Sequence, residues 1–422
     1  MRFVYKLTLL VFISIQSFAQ SGWIPQPGGT NNFLTGISLI DVNTGTVVGE
    51  NGTVLRTTNG GANWLSQSSG TNNFLYGVFF INASIGASVG INGTILYTTN
   101  GGTNWTIQPS GTNKNLFGVF FLSSITGAAV GDSGTILRTT NGGANWAIQP
   151  SGTTNDIHNV YFFDVNTAIC VGGSGIGLIL KTTNGGLNWI LKPSGTSEHL
   201  HRVYFADVNT GFAVGNNGII VRTTNNGENW FSQNSGTTNL LYGVSFSSTS
   251  VGNTVGFNGT ILRTINGGNI WASQPSGTTA FLYAVEFKDA NTGYAVGENG
   301  TILKTTTGGN PIGITPISNE IPERFSLSQN YPNPFNPKTV ISFQLSVNSF
   351  ASLKVYDLLG REVATLVNEQ LQPGTYEVDF DGSNFASGIY YYTLEADPET
   401  IPYQSTAQGS GFTETRKMVL IK

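Results

Sequence analysis

A single cysteine in 422 residues leaves Cys170 without an intramolecular disulfide partner, so packing must hold the fold. Charge is scarce as well: charged residues make up 10% of the chain and the net charge is -4, which leaves no basic footprint for nucleic acid. Beyond the N-terminus no apolar run approaches the ~18–20 residues of a membrane helix, so a soluble mature chain without a transmembrane segment is expected. The N-terminal run is too short for a comfortable span. It reads as a secretory signal peptide over residues 1–19: Arg2 and Lys6 precede Leu7 to Phe18, and Ser17-Phe18-Ala19 places small residues before an expected cleavage after Ala19. No cysteine lies there to carry a lipid anchor.

What the chain has is glycine and period. Gly is 55 of 422, well above the usual ~7%, and recurs at fixed phase, which marks turns. The seven tryptophans, Trp23, Trp64, Trp105, Trp146, Trp189, Trp230 and Trp271, stand 41 residues apart except for one gap of 43. A period near 40 residues signals a stacked or radial repeat. Within Ser69–Pro109 four short strands are predicted: Leu75–Ile81, Gly86–Gly90, Thr94–Thr99 and Trp105–Gln108. Asn92-Gly93 predicts a type I′ hairpin between the second and third, with counterparts at Asn51, Ser133, Asn217, Asn258 and Asn299, each followed by Gly. Four antiparallel strands in about 40 residues form one propeller blade. The Val-Gly element before that turn occurs seven times, at Val48, Val89, Val130, Val171, Val214, Val255 and Val296, so seven blades are expected over residues 20–309. The last blade has Ile312 at the tryptophan position, and Trp23 is one tryptophan too many upstream. The segment around Trp23 is therefore expected to supply the outer strand of the last blade and close the ring.

Before each tryptophan runs a turn such as Thr57-Thr58-Asn59-Gly60-Gly61-Ala62-Asn63-Trp64, which pairs Asn100 with Trp105, Asn141 with Trp146, Asn184 with Trp189, Asn225 with Trp230 and Asn266 with Trp271 further along. This resembles the Asp-box of BNR-type propellers with Asn in place of Asp, and implies a structural hairpin brace. The Asn closes the turn, Gly takes positive φ and Trp wedges the hairpin. The full repeat, VG.NGTIL.TTNGG.NW, is similar to photosystem II stability/assembly-factor-like propellers over about residues 21–309.

Two columns of the repeat are candidate binding surfaces. Eight residues before the tryptophan position stand Arg56, Arg138, Lys181, Arg222, Arg263 and Lys304, with Tyr97 in the second blade. Rotation would set them at equal height as a ring for an acidic partner or anionic glycan, or pair each with a neighbouring blade. At the start of the first strand stand Tyr76, Phe117, His158, His201, Tyr242 and Tyr283, with Thr35 in the first blade, a pattern that fits packing between blades. His199, Asp156 and Glu198 lie near His158 and His201, but no metal-ligand spacing is preserved along the chain, and no metal or other cofactor is expected.

Asp41-Val-Asn-Thr-Gly45 and its copies at Asp207 and Asp289 lack the terminal Glu of a calcium loop and read as turns. Gly172 to Gly177 precedes a strand, so it is no phosphate loop; it accounts for the insertion in the fourth blade. No Gly-x-Ser-x-Gly elbow or His-Glu-x-x-His motif occurs, and no catalytic residue is assigned.

Residues 310–324, with Pro311, Pro316 and Pro322, read as an extended linker. Over 325–422 alternating strands are predicted at Val340–Leu345, Ala351–Tyr356, Glu362–Val367, Tyr376–Phe380, Ile389–Leu394 and Lys417–Ile421, which suggests an immunoglobulin-like sandwich. This segment resembles the type A C-terminal sorting domain of the type IX secretion system. The matching residues are Tyr331, Pro332, Asn333, Pro334 and Phe335; Val355 to Glu362 with Gly360 and Arg361; Ala386 to Tyr390; and Lys417 to Lys422. The stretch from Asp397 to Phe412 departs as a long insertion. The resemblance implies Sec export, outer-membrane passage through the type IX machinery, and removal of the domain with release or surface attachment. The sequence thus predicts an all-β chain, a seven-bladed β-propeller followed by an immunoglobulin-like β-sandwich, at the cell surface or outside it. A non-enzymatic binding or scaffold role toward a surface protein or glycan is the leading expectation. An Asp-box carbohydrate-active enzyme and an assembly factor for an envelope complex are the alternatives.

Overall fold

In the computed structural model, residues 22–309, 314–318, 320–382, 385–398 and 411–421 are described. The expected signal peptide, Pro311, Ile312 and most of the insertion after Asp397 lie outside them. Two compact units divide between Asn310 and Pro311.

The first unit is seven four-stranded antiparallel sheets. The second blade, for example, is Leu75–Phe80, Gly86–Gly90, Ile95–Thr98 and Thr106–Gln108, within one or two residues of the strands read from the sequence. Each inner strand packs against the next, and Leu282–Phe287 packs back on Leu34–Leu39, which closes the ring. The core lies between blades: Val48 and Val54 of the first blade cluster with Leu75, Val78 and Phe80 of the second. Each such side chain contributes about 1.5–3 kcal/mol when fully buried, and a lone sheet has no second layer to supply this. Within a blade, glycine makes room for a large ring on the paired strand: a Cβ on Gly86 would lie 2.7 Å from the ring of its partner Phe80, which lies across that glycine.

The predicted hairpin turn is present. Asn92 has φ 56° and ψ 33°, Gly93 has φ 67°, and Thr94 N donates to Ile91 O at 3.1 Å. Positive φ at both central residues defines the type I′ turn, whose twist matches the flanking strands.

The ring closes as expected from the tryptophan count. Gly22–Pro25 pairs with Ile302–Gly309, with Gly22 opposite Gly309 and Ile24 opposite Lys304. It is the outermost strand of the seventh sheet, and Trp23 is buried there.

The second unit is a sandwich of two four-stranded sheets. One orders Ile314–Ser318, Gly374–Asp381, Lys338–Leu345 and Ser326–Leu327; the other orders Glu362–Leu371, Ser349–Tyr356, Gly388–Pro398 and Phe412–Leu420. Its core includes Phe335, Phe343, Leu353 and Tyr392. One expectation needs correction: the stretch read as linker contains the strand Ile314–Ser318, paired to Gly374–Asp381. Pro316 misled the reading, because proline is excluded from central strands but tolerated on an edge, and this strand is an edge.

Candidate functional site

The Asp-box turns form a uniform brace. In the first, Thr57 Oγ1 donates to Asn59 Oδ1 (3.0 Å), and accepts from Gly61 N (2.9 Å), while Asn59 Oδ1 accepts from Asn63 N (3.0 Å). The same bonds recur around Asn100, Asn141, Asn184, Asn225 and Asn266. These turns join the two outer strands of each blade, remote from the inner ring. The Asp41, Asp164 and Asp207 loops are also turns: each carboxylate accepts two backbone N–H bonds, which hold it below the ordinary carboxylate range.

The cationic column sits on the third strand of each blade and reaches across to the next blade. Arg56 donates to Ala83 O, Arg138 to Val165 O and Arg263 to Ala290 O, each at 2.8 Å. Lys304 donates to Gly60 O at 2.6 Å across the seam between the seventh and first blades. Arg222 donates to Asn269 Oδ1 at 3.3 Å. Lys181 donates to Asn226 O and pairs with Glu228 at 2.7 Å, and Lys192 shares that carboxylate. Arg56, Arg138, Arg222 and Lys304 also stand over aromatic rings at 5.1–5.7 Å. Of the two arrangements open to this column, these contacts are the pairing with neighbouring blades. The partners on the next blade are backbone carbonyls for Arg56, Arg138, Arg263 and Lys304, a side-chain amide for Arg222, and a carboxylate as well as a carbonyl for Lys181.

The aromatic column forms a belt on the inner strands. Ring centroids run from Tyr76 to Phe117 (5.2 Å), Phe117 to His158 (4.6 Å), His158 to His201 (5.3 Å), His201 to Tyr242 (4.7 Å) and Tyr242 to Tyr283 (5.5 Å). Thr35 interrupts it in the first blade and donates instead to Leu75 O at 2.6 Å.

Into this belt the structure brings all three histidines. One ring nitrogen from each lies within 4.8 Å of the other two. The ligand spacing that is missing along the chain is thus approached across two blades. Burial depresses His158 to about 3 and His201 to about 4, so both rings are neutral near pH 7.

Sequence reasoning missed two residues. Arg202 stands in the column occupied by Gly36, Gly77, Gly118 and Gly243 in other blades. There glycine lets the neighbouring backbone approach: a Cβ on Gly77 would lie 2.9 Å from Phe117 O. Arg202 breaks that rule beside Tyr242, and among the described residues its guanidinium makes no hydrogen bond or ion pair. Glu286 occupies the column of Phe79, Phe120, Tyr161 and Tyr204. Burial raises its pKa, against Lys288 at 2.8 Å and Leu39 N at 3.0 Å. Each is the only charged residue in its column, which also holds Asn159 and Ala284 in the first case and Ser38 and Ser245 in the second.

The sorting motif is built into the sandwich. Phe335 is buried; its N donates to Val419 O (2.9 Å) and its O accepts from Ile421 N (3.0 Å). Asn333 Oδ1 accepts from Val419 N at 2.9 Å, while Tyr331 is exposed. Pro332 O accepts from Asn330 Nδ2 (3.0 Å) and Thr339 Oγ1 (2.8 Å). Arg361 folds back on Asp357 at 2.7 Å in a turn with Gly360 at φ 75°, leaving Leu358 and Leu359 exposed at its tip. Lys417 lies opposite Tyr391 on the last strand.

Residues 223–326 match the family model described as photosynthesis system II assembly factor YCF48, and residues 329–403 match the secretion system C-terminal sorting domain. The chain carries a YCF48-like propeller and a secretion sorting domain. Among solved structures, YCF48 bound to D1 peptide is 21% identical, with a TM-score of 0.58 over 69% of this chain and 96% of that one. YCF48 from Cyanidioschyzon merolae is 23% identical, with a TM-score of 0.57 over 67% of this chain and 98% of that one. A GH74 enzyme of Niastella koreensis is 17% identical, with a TM-score of 0.57 over 76% of this chain and 59% of that one. At these identities the likeness establishes the fold of the YCF48-like propeller. No curated protein matches the chain. The match to a secretion sorting domain supports a secreted protein, exported to the cell surface or the extracellular space, and implies interaction with the secretion machinery.

Proposed function

We propose that the chain is an exported, non-enzymatic binding module whose propeller receives an extended segment of a surface protein at the aromatic belt, with Arg202 pairing with a carboxylate of that segment. The observation that carries this reading is a partly buried guanidinium near Tyr242 that makes no hydrogen bond or ion pair among the described residues, at a column where four of the other six blades have glycine. A partly exposed guanidinium without an internal acid can take an external carboxylate in a bidentate pair. Flat aromatic faces bind with little loss of side-chain freedom. A similarly folded propeller has been solved with a peptide bound.

The enzymatic alternative has the fold likeness to a GH74 enzyme in its favour. Against it, the carboxylates beside the inner strands are engaged in structure. Glu50 accepts from Phe33 N, Asp132 from Asn115 N and Glu298 from Phe281 N, at 3.1–3.3 Å, and Glu286 from Leu39 N. Glycoside hydrolysis needs two opposed carboxyl groups free to act as acid and base or nucleophile.

Export through the Sec pathway with cleavage after Ala19, followed by removal of residues after about 325, completes the proposal. The test is affinity capture from the outer-membrane surface, in parallel with a glycan array, comparing the secreted protein with Arg202→Gly. Capture of a defined protein that Arg202→Gly loses supports the reading. Equal capture by both proteins overturns the role of Arg202, and glycan turnover overturns the non-enzymatic assignment.

A further inference from the structure

We propose that His158, His199 and His201 form a three-imidazole site for a divalent transition-metal ion of the zinc type, placed between the fourth and fifth blades. His158 stands on the inner strand Ile157–Phe162, and His199 and His201 flank the first residue of Leu200–Phe205. A register shift between Leu200 and Arg202 interrupts the regular alternation there, and the rings of His199 and His201 stack at 4.4 Å, with His158 at 4.4 and 5.3 Å from them.

Three buried nitrogens, one per ring, lack a hydrogen-bond partner among the described residues: His158 Nδ1, His199 Nε2 and His201 Nδ1. Buried polar atoms are normally paired, so three orphans in one place ask for a common explanation. An ion accepting three lone pairs supplies it. His201 is already oriented for this: its Nε2–H donates to Asn216 Oδ1 at 2.9 Å, which leaves the Nδ1 lone pair free. Metal-bound histidines characteristically carry such an outer partner on the second nitrogen.

The donor set selects the ion. Imidazole suits zinc, copper and nickel, whereas calcium and magnesium take oxygen ligands. Zn–N bonds of ~2.0–2.1 Å imply nitrogens roughly 3.3 Å apart at tetrahedral angles, so the rings must draw in by up to ~1.5 Å from the 4.8 Å limit of the present cluster. Two charges bear on the site. Asp156, which accepts from Ser133 N at 2.8 Å, acts on His199 and favours a cation; Arg202 acts on His158 and His201 and opposes one unless an anionic fourth ligand offsets it.

The competing explanation is packing alone, since the rings also contact one another at 4.4–5.3 Å. The repeat separates the two. Other blades put Phe117 and Tyr242 at the positions of His158 and His201, so His158→Phe and His201→Tyr keep the aromatic belt while removing ligands.

The test uses the full chain stripped with a chelator and titrated with Zn²⁺ by calorimetry and with Co²⁺ by visible absorption, with no partner present, so its outcome is separate from that of the partner reading. One ion per chain is expected, with the intense visible bands of low-coordinate Co²⁺. Asn216→Ala should weaken binding by about 10–100-fold, and each ligand substitution by at least that much. Absence of binding to the folded wild-type chain, or undiminished binding by the His158→Phe/His201→Tyr double variant, overturns the proposal.

Discussion

Trp23 meets Phe287 edge-on, with ring centroids 5.7 Å apart and planes at 87°. Trp105 with Phe80, Trp146 with Phe121, Trp230 with Phe205 and Trp271 with Phe246 repeat that relationship at 5.8–5.9 Å. The N-terminal tryptophan therefore acts as the missing wedge of the seventh blade, and Trp23 Nε1 donates to Gln274 Oε1 at 3.1 Å in the sixth.

Trp23→Ala is expected to lower the unfolding free energy by about 3–5 kcal/mol, the range for a buried Trp or Phe. Deleting residues 22–25 should do more, because it also leaves the edge of the seventh sheet unpaired. Denaturant unfolding measures both, and an unchanged midpoint for the deletion would show that the ring does not depend on this strand.

Arg138→Ala should cost about 1–2 kcal/mol through its bond to Val165 O and its stacking over Phe162. Binding of any anionic ligand should be unchanged, since the guanidinium is directed at the neighbouring blade. Thermal melts and a heparin-binding assay on the same variant separate the two roles.

Gly93→Ala and Gly111→Ala form a controlled pair. Both glycines have positive φ, 67° and 74°, but a Cβ on Gly93 would overlap Thr112 O, whereas nothing lies within 4 Å of one on Gly111. Gly111→Ala is expected to cost only the left-handed backbone penalty of about 1–2 kcal/mol. Gly93→Ala should cost visibly more, as read from paired unfolding curves.

Acid should loosen the Asx turns. The backbone N–H groups of Thr210 and Asn209 hold Asp207 below the usual carboxylate range, so the folded state binds its proton less readily than the unfolded chain does. The resulting stability is fully present above the unfolded pKa of ~3.9, and is lost as pH falls through the lower folded value. Asp207→Asn mimics Asn82, which caps the corresponding turn of the second blade at 2.9 Å. It should therefore fold normally, with a shallower loss of stability below about pH 4. Unfolding measured from pH 6 to 2 checks the slope.

The blade strands, the Asn92-Gly93 turn and the role of Trp23 were legible because local pattern and period specify them. The destination of Arg138 was not, because Val165 O belongs to the next blade and is brought near by the rotation between sheets. The same rotation gathers His158 with His199 and His201, so spacing along the chain gave no sign of the cluster. Arg202 was legible in principle as the one charged residue in a column that is otherwise Gly36, Gly77, Gly118, Asn159, Gly243 and Ala284, but was passed over because attention rested on residues that recur. The strand Ile314–Ser318 was hidden by Pro316, whose edge position depends on strand order and not on composition.

Gly22 lies opposite Gly309, so the propeller begins and ends at the same place on its rim. The seam is then an accident of where the gene opens the circle. A chain recut between two other blades, with its old ends joined by a short bridge, should form the same ring, and the outermost strand of whichever blade is split would become the new clasp.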